Sequence, residues 1–328
     1  MRLSISEAEE MVVAILTRSR VAEANARSTA RALVAAEAAA QSGHGLRRVP
    51  AYAAQALAGK IDGFAVPSIT KTAAAVLRID AGFGFAYPAL DIAVAELAPL
   101  ATQNGIALAA IHRSHHAGVM GLTVERFAEE GLVALMFANT PAAMAPWGGR
   151  TALFGTNPIA FAAPLSGTDP VVVDLALSRV ARGKIVAAKQ KGTSIPPDWA
   201  LDIDGQPTTD AARAVEGTML PFGDAKGAAL ALMVEILAAG ITGAQYAYEA
   251  SSLLDDKGSP PALGQTLIVI EPKASGGGDM LPRLSMLAEM IGREPDARLP
   301  GKRGATQRRL ALTDGLELDE DIIQLLGA

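Results

Sequence analysis

The sequence predicts an α/β protein in two lobes, one mainly helical and one built on a sheet. Three observations predict it. The chain has 328 residues, above the ~250–300 at which a single hydrophobic core stops growing. Its first ~75 residues carry helix start and stop signals. Beyond them, short apolar or β-branched runs bounded by turn residues alternate with helical stretches, the pattern of a layered α/β domain.

Taken in order, Ser6-x-x-Glu9 reads as a capping box that opens a helix reaching about Ser19. An alanine-rich helix follows from about Val21 to Gln41, ended by Ser42-Gly43-His44-Gly45. A short helix from Pro50 to Leu57 is closed by Gly59. Ile106–His112, Leu132–Ala138, Val171–Leu175 and Leu267–Ile270 read as buried strands, with helices over Leu90–Gln103 and Met120–Glu130 among them. At Pro221-Phe222-Gly223 the chain turns into a long apolar helix, Gly227 to Thr242. Glu235 interrupts that run, which falls short of the ~18 uncharged residues of a membrane span, so it reads as a buried or dimer-interface helix. After Ser251 the chain is loop-like until Leu267, Ser275 to Gly278 is a flexible turn, and the tail from about Gly304 is helical and polar. The expected division is a helical lobe over 1–75, 210–255 and 305–328, and a sheet lobe over 76–209 and 256–304.

Composition narrows the function. Half the residues are hydrophobic and 19% are charged, enough to bury a sizeable core. With 29 Lys and Arg against 34 Asp and Glu, the net charge of -5 gives no overall field for nucleic acid. Any anionic ligand must be attracted locally. The lack of cysteine excludes disulfides, thiolate metal sites and a cysteine nucleophile. An acidic residue, Glu7, precedes any apolar run, so the start is not a signal peptide, and a soluble cytoplasmic protein is expected.

The four histidines are the first candidates for chemistry, because histidine titrates nearest neutral pH. His44 lies between two glycines in Gly43-His44-Gly45-Leu46-Arg47-Arg48, where a ligand can approach and Arg48 can clamp a carboxylate in bidentate fashion. A purely structural reading is equally open there, with Gly43 as a helix C-cap and His44 facing the helix dipole. His112, His115 and His116 follow a strand and precede Gly118; no carboxylate or thiolate stands beside them, so ligand contact fits better than a metal. Asn139-Thr140-Pro141, Ala145 to Arg150 and Phe154-Gly155-Thr156-Asn157-Pro158 make rigid turns whose N–H groups suit anionic or amide ligands, or a plain structural loop. Lys226 and Gly227 at the head of the apolar helix suit a phosphate. Arg298-Leu299-Pro300-Gly301-Lys302-Arg303 packs three cations around a Pro-Gly turn that could hold a 2′-phosphate or pyrophosphate. No G-x-G-x-x-G occurs at a strand–helix junction and no G-x-S-x-G elbow occurs anywhere.

As an ordered series, these motifs resemble the type 2 malate/L-lactate dehydrogenase family, also called sulfolactate-dehydrogenase-like. The likeness runs through Gly43-His44-Gly45 with Arg48 and Pro50, Ser114 to Gly118, Asn139 to Pro141, Gly155 to Pro158 and Asp174-Leu175-Ala176-Leu177-Ser178. It continues through Ile195-Pro196, Trp199-Ala200, Pro207 to Asp210, Pro221 to Gly227 and Leu299-Pro300-Gly301. The resemblance implies a mixed-sheet, non-Rossmann NAD(P)-binding domain beside a helical domain, which explains the missing glycine fingerprint. It implies homodimers with active sites near the interface, and NADP or NAD as cofactor. His44 would donate a proton to the substrate carbonyl oxygen, Arg48 would bind the substrate carboxylate, and His116 would line the pocket. Thr156, Asp174, Leu175, Ala176, Ser178, Lys226, Gly227, Gly301, Lys302 and Arg303 would hold the dinucleotide. The substrate would be a small 2-oxo or 2-hydroxy acid of the malate, lactate or (R)-3-sulfolactate type.

Many family members read Ser-His-Gly where this chain has Gly43-His44-Gly45. In the cyclic-imine reductases of the family that serine is expected to relay a proton, so Gly43 counts against that branch. Ala145 to Arg150 and Glu249 to Ser252 lean toward sulfolactate dehydrogenases, and Arg182 or Lys184 would serve a dianion if they face the pocket. The alternatives are a piperideine- or pyrroline-2-carboxylate reductase and a non-catalytic nucleotide-binding homologue.

Overall fold

The computed structural model describes residues 2–276 and 279–326. The last two residues of the turn expected at Ser275 to Gly278 lie outside them, as do the last two of the tail.

The chain begins with a short strand, β1 (Arg2–Leu3), and helix α1 (Ile5–Arg18). The capping box is Ser4 with Glu7, two residues earlier than the Ser6/Glu9 spacing suggested: the Ser4 side chain accepts from Glu7 N, and the Glu7 carboxylate accepts from Ser4 N at 2.8 Å. Helix α2 (Glu23–Ala38) stops short of Gln41 and gives way to two tight 3-10 turns, Ser42–His44 and Leu46–Arg48, before α3 (Val49–Leu57), which has Pro50 in its first turn.

A hairpin follows, β2 (Ser68–Ala73) and β3 (Val76–Asp80), then α4 (Ala86–Asn104), β4 (Ile106–Ser114), α5 (Met120–Glu129), β5 (Val133–Ala138), β6 (Ile159–Ala163) and β7 (Val171–Leu175). A smaller layer holds α6 (Arg182–Lys191), β8 (Ala200–Leu201), α7 (Ala211–Glu216), β9 (Thr218–Met219) and α8 (Ala225–Glu235), which runs on as a π-helical turn, Ile236–Gly240. Then come β10 (Leu263–Ile270), α9 (Met280–Gly292), α10 (Lys302–Asp314), β11 (Leu316–Glu317) and α11 (Glu320–Leu326).

Seven strands form one sheet in the order β2-β3-β4-β10-β5-β6-β7. Only β3 and β4 run parallel, and the other neighbours are antiparallel, so the sheet is mixed. Strand β10 lies between β4 and β5, with Ile268 paired to Leu108 on one side and Leu135 on the other. Its buried Leu267 and Val269 explain why the sequence shows it as an apolar run.

Three apolar clusters follow from this layout. One lies between the sheet and α4 and α5, around Ile111, Phe127 and Leu267. A second joins α1, α2 and α3 to the tail through Leu33, Tyr52 and Ile322. A third packs α6, α7 and α8 against the other side of the sheet, around Phe137, Met144 and Val234. The segment that matters for chemistry lies where β4 ends and the first two clusters meet.

Candidate active site

The loop after α2 is held by one carboxylate. Ser42 Oγ donates to Glu37 Oε1 at 2.5 Å, and Leu46 N donates to Glu37 Oε2 at 2.9 Å. Gly45 runs so close to Glu37 that a Cβ there would strike its carboxylate and, at 2.9 Å, its backbone nitrogen. At Gly43 nothing lies within 4 Å of a built Cβ. The C-cap of α2 is Ala39, with left-handed Ala40 (φ 58°) following, so Gly43 is not the helix cap that a purely structural reading assigned to it.

This loop delivers His44 beside His116. Their rings stack with centroids 5.2 Å apart and planes inclined by 22°. His116 comes from the far end of β4, through Ser114-His115-His116. The Tyr52 hydroxyl on α3 lies 2.7 Å from His116 Nδ1 and 3.3 Å from the Tyr87 hydroxyl on α4. Behind them, His115 Nε2 donates to Gln55 Oε1 at 2.8 Å, and Gln265 of β10 donates to His115 O at 3.1 Å. Three of the four histidines therefore meet in one place, whereas His112 points elsewhere and takes a hydrogen bond from Arg78.

Arg48 supplies the charge of the site. Its Nε donates to Gly43 O at 2.8 Å, and among the described residues its terminal nitrogens form no ion pair. Burial, then the Arg48 charge, pulls the His44 imidazole down to about 4. Burial, then Lys60 and Arg48, takes His115 to about 3, and burial with Arg48 holds His116 well below its ordinary value. Burial raises both Tyr52 and Tyr87, so their hydroxyls stay protonated. His44 Nδ1 is buried and has no hydrogen-bond partner among the described residues. The result is a neutral imidazole with an unpaired nitrogen, beside an unpaired guanidinium.

A cleft of about 330 Å³ lies between Gln41, the start of α5, β7 and the start of α10. Three of the expected dinucleotide residues, Asp174, Gly301 and Arg303, line it together. Asp174 is exposed as a residue and accepts from Gly121 N at 2.7 Å and from Met120 N; desolvation by its neighbours pushes its carboxyl up to about 6, these donors opposing the rise. Gly301 is left-handed (φ 85°), and a Cβ there would meet Val172 at 2.8 Å. Arg298 and Arg303 line the cleft and form no ion pair among the described residues, whereas Arg308 is bonded to Glu125 at 2.6 Å. Two guanidiniums that form no ion pair among the described residues, together with the N-terminus of α10, make this cleft fit a phosphorylated ligand, while the N-terminus of α5 is already capped by Asp174.

The remaining expected residues form a neighbouring turn. Leu177 N donates to Thr156 O at 2.8 Å and Phe222 N to Leu177 O at 2.9 Å, which lays Thr156, the exposed Leu175-Ala176 end of β7 and the Lys226-Gly227 head of α8 along one line. Ser178 belongs to it through its backbone only, since its hydroxyl is buried and donates to Val180 O. Lys302 is exposed on the first turn of α10 but does not line the cleft. Arg182 and Lys184 are exposed on α6, Arg182 3.5 Å from Ala142 O, and no contact brings either to His44. Tyr52, Tyr87 and Gln55 were not legible as site residues. The available signal was the Arg48, Tyr52, Gln55 spacing, which puts three polar side chains on one face of an otherwise apolar helix.

The profile of the malate/L-lactate dehydrogenase family matches residues 3–327. A (2R)-3-sulfolactate dehydrogenase (NADP(+)) of Chromohalobacter salexigens is 47% identical over 326 residues, 99% of this chain and 97% of that protein. A Δ1-pyrroline-2-carboxylate/Δ1-piperideine-2-carboxylate reductase of Pseudomonas putida is 40% identical, covering 98% of this chain and 95% of that protein. The crystal structure of Δ1-piperideine-2-carboxylate reductase from Pseudomonas syringae superposes with a TM-score of 0.94 at 36% identity, over 99% of this chain and 98% of that one.

Proposed function

The chain belongs to the malate/L-lactate dehydrogenase family, and from that premise we propose that it is an oxidoreductase that transfers hydride between NADP(H) or NAD(H) and a small anionic 2-oxo or 2-hydroxy acid. The 47% identity to a sulfolactate dehydrogenase favours the (R)-3-sulfolactate type over malate or lactate, and NADP over NAD. The observation that carries the reading is the pairing of neutral His44, its Nδ1 unpartnered, with the unpaired Arg48.

Arg48 is fixed by its own Gly43 carbonyl, so its terminal N–H pair is free to take a carboxylate in two parallel bonds. That orients the α-carbon of the substrate toward His44. Neutral His44 accepts the hydroxyl proton in the oxidation direction and, once protonated, returns it to the oxygen in reduction. Burial is the larger cause of His44 neutrality and the Arg48 charge the smaller; the substrate carboxylate offsets the second and so raises the proton affinity of the imidazole in the reduction direction. His116, held through Tyr52, forms the wall against which His44 stacks. Asp174, Gly301 and Arg303 with the Thr156 and Lys226-Gly227 turn would hold the dinucleotide, which when bound supplies or takes up the hydride.

Reduction of a cyclic imine is the second reading, supported by the Pseudomonas putida relative. The exposed apolar face at Leu232, Ile236 and Ile241 supports a homodimer. Among the described residues no helix is long and apolar enough to cross a membrane, and we take the enzyme to act in the cytoplasm.

The test is NADPH and NADH oxidation with sulfopyruvate, oxaloacetate, pyruvate, pyrroline-2-carboxylate and piperideine-2-carboxylate. Turnover of a 2-oxo acid that falls ~10²–10⁴-fold in His44→Ala, with cofactor binding retained, is expected. Turnover of the imines alone would replace the first reading by the second, and no turnover of any would remove both.

A further inference from the structure

Lys60, just past α3, is among the most deeply buried side chains of the protein, 1% exposed, and among the described residues its ammonium makes no hydrogen bond to a side chain of the active site. Its ammonium lies 2.7 Å from Ser252 O, 3.0 Å from Asp255 O and 2.6 Å from Lys257 O. An ammonium has three donors, and here each has a backbone carbonyl. The Asp255 carboxylate stands farther off at 3.6 Å and is half exposed. A ring of carbonyl oxygens around a dehydrated cation is how proteins hold potassium; in this loop the cation is tethered to the chain.

The same loop reaches the histidines. Gln55 donates to Leu253 O at 3.1 Å while its Oε1 accepts from His115 Nε2. The Leu253 carbonyl therefore fixes which way the Gln55 amide faces, and that amide fixes the His115 proton on Nε2. Lys60 N and Gln55 O are themselves bonded at 2.9 Å, so the ammonium and the amide are anchored in one turn. His115 is followed directly by His116.

We propose that Lys60 is a positioning residue, a built-in replacement for a monovalent cation: it orders the Ser252–Lys257 loop and, through Leu253, Gln55 and His115, holds His116 beside His44. The kinetic part of this rests on the hydride-transfer reading above; the ordering part does not.

Truncating Lys60→Ala removes three carbons and the ammonium, the atoms of n-propylammonium, and leaves the carbonyl ring to take that ion from solution. The variant is compared with the wild type with and without n-propylammonium, with 1-propanol and sodium chloride as controls. Three signals are read: tryptic cleavage after Lys257, the ¹⁵N resonances of the His115 ring, and turnover. Lys60→Ala is expected to be cut at Lys257, to change the His115 resonances and to lose roughly tenfold or more in kcat with little change in KM, as for a displaced catalytic group. Propylammonium restores all three and propanol none. Cleavage and resonances like those of the wild type, or no response to propylammonium, would overturn the proposal. If Lys60→Ala does not fold, Lys60→Met decides, since it keeps the stem and deletes the charge; an uncut loop and unchanged His115 signals in it reject the idea. Gln55→Leu should leave the loop uncut but shift His115, and unshifted resonances would break the proposed link. A wild type without turnover would remove the hydride-transfer reading while cleavage and resonances still judge Lys60.

Discussion

The Tyr52 hydroxyl and His116 Nδ1 are 2.7 Å apart, and both residues are buried. One comes from the helical cluster and the other from the end of the central sheet, so this bond ties the two parts of the molecule at the active site. Tyr52→Phe leaves a buried ring nitrogen without its partner. A cost of about 1–3 kcal/mol is expected for such a loss, and where it falls on the transition state kcat drops about five- to a hundredfold. Steady-state kinetics with calorimetric unfolding would separate the two; an unchanged kcat with full stability would show the bond to be incidental.

Gly43 and Gly45 flank His44 but differ in what surrounds them. Gly45→Ala drives a methyl into Glu37 and should cost about 1–3 kcal/mol of stability and displace His44. Gly43→Ser meets open space and should leave stability within about 0.5 kcal/mol. If serine relays a proton to imines, Gly43→Ser raises activity on pyrroline-2-carboxylate relative to 2-oxo acids. Equal stability of the two variants would contradict the first half, and an unchanged substrate ratio the second.

Arg48→Lys keeps the charge but loses the planar fork. KM for a carboxylate substrate should rise about tenfold or more, because a lysine cannot make two parallel bonds to one carboxylate. A KM equal to the wild type would place the carboxylate elsewhere.

Stability should fall as the solution is acidified from neutrality. His44 and His115 stand at about 4 and about 3 in the folded protein, against about 6.5 unfolded, and His116 is lowered too. Groups with depressed folded values bind protons more tightly when unfolded, so their stabilising effect is full above pH about 6.5 and declines through the window down to about 3. The loss amounts to several kcal/mol at about 1.4 per pH unit and group. Asp174, raised to about 6, works in the opposite sense between about 4 and 6 and offsets part of it. Urea unfolding at pH 7, 5 and 4 measures this; a flat profile would mean the histidines are charged in the fold.

Arg303→Ala should weaken NADPH more than NADH, by about tenfold for one charge-assisted phosphate contact. Equal losses for both would place the 2′-phosphate away from this cleft.

Much of this fold was legible where a local rule and the tertiary environment agree. Val171–Leu175 is a β-branched run and is a strand over those same residues. The hairpin strand Ser68–Ala73 was not, because it is an edge exposed along its whole length and its Thr-Lys-Thr shows no apolar alternation. Helix α9 escaped for a related reason: none of its side chains is buried. At the site, His44 and Arg48 could be picked out as residue types, but a close stack of two histidines 72 positions apart depends on how β4 ends against α3. Gln55 and Lys60 look like surface residues in the sequence and are interior ones in the fold, since their partners are backbone groups some 200 residues away.

The position of β10 imposes an order on biosynthesis. Strands β4 and β5 are complete by residue 138, yet the strand that joins them spans 263–270. Until that stretch leaves the ribosome, the nascent chain holds two half-sheets with unpaired inner edges, the kind of edge that recruits other chains. The histidine pair cannot settle earlier either, because Gln265 of the same strand holds the His115 carbonyl. Translation must pass four-fifths of the message before a working centre can assemble, and a chain that stalls short of it is exposed to aggregation rather than left partly active.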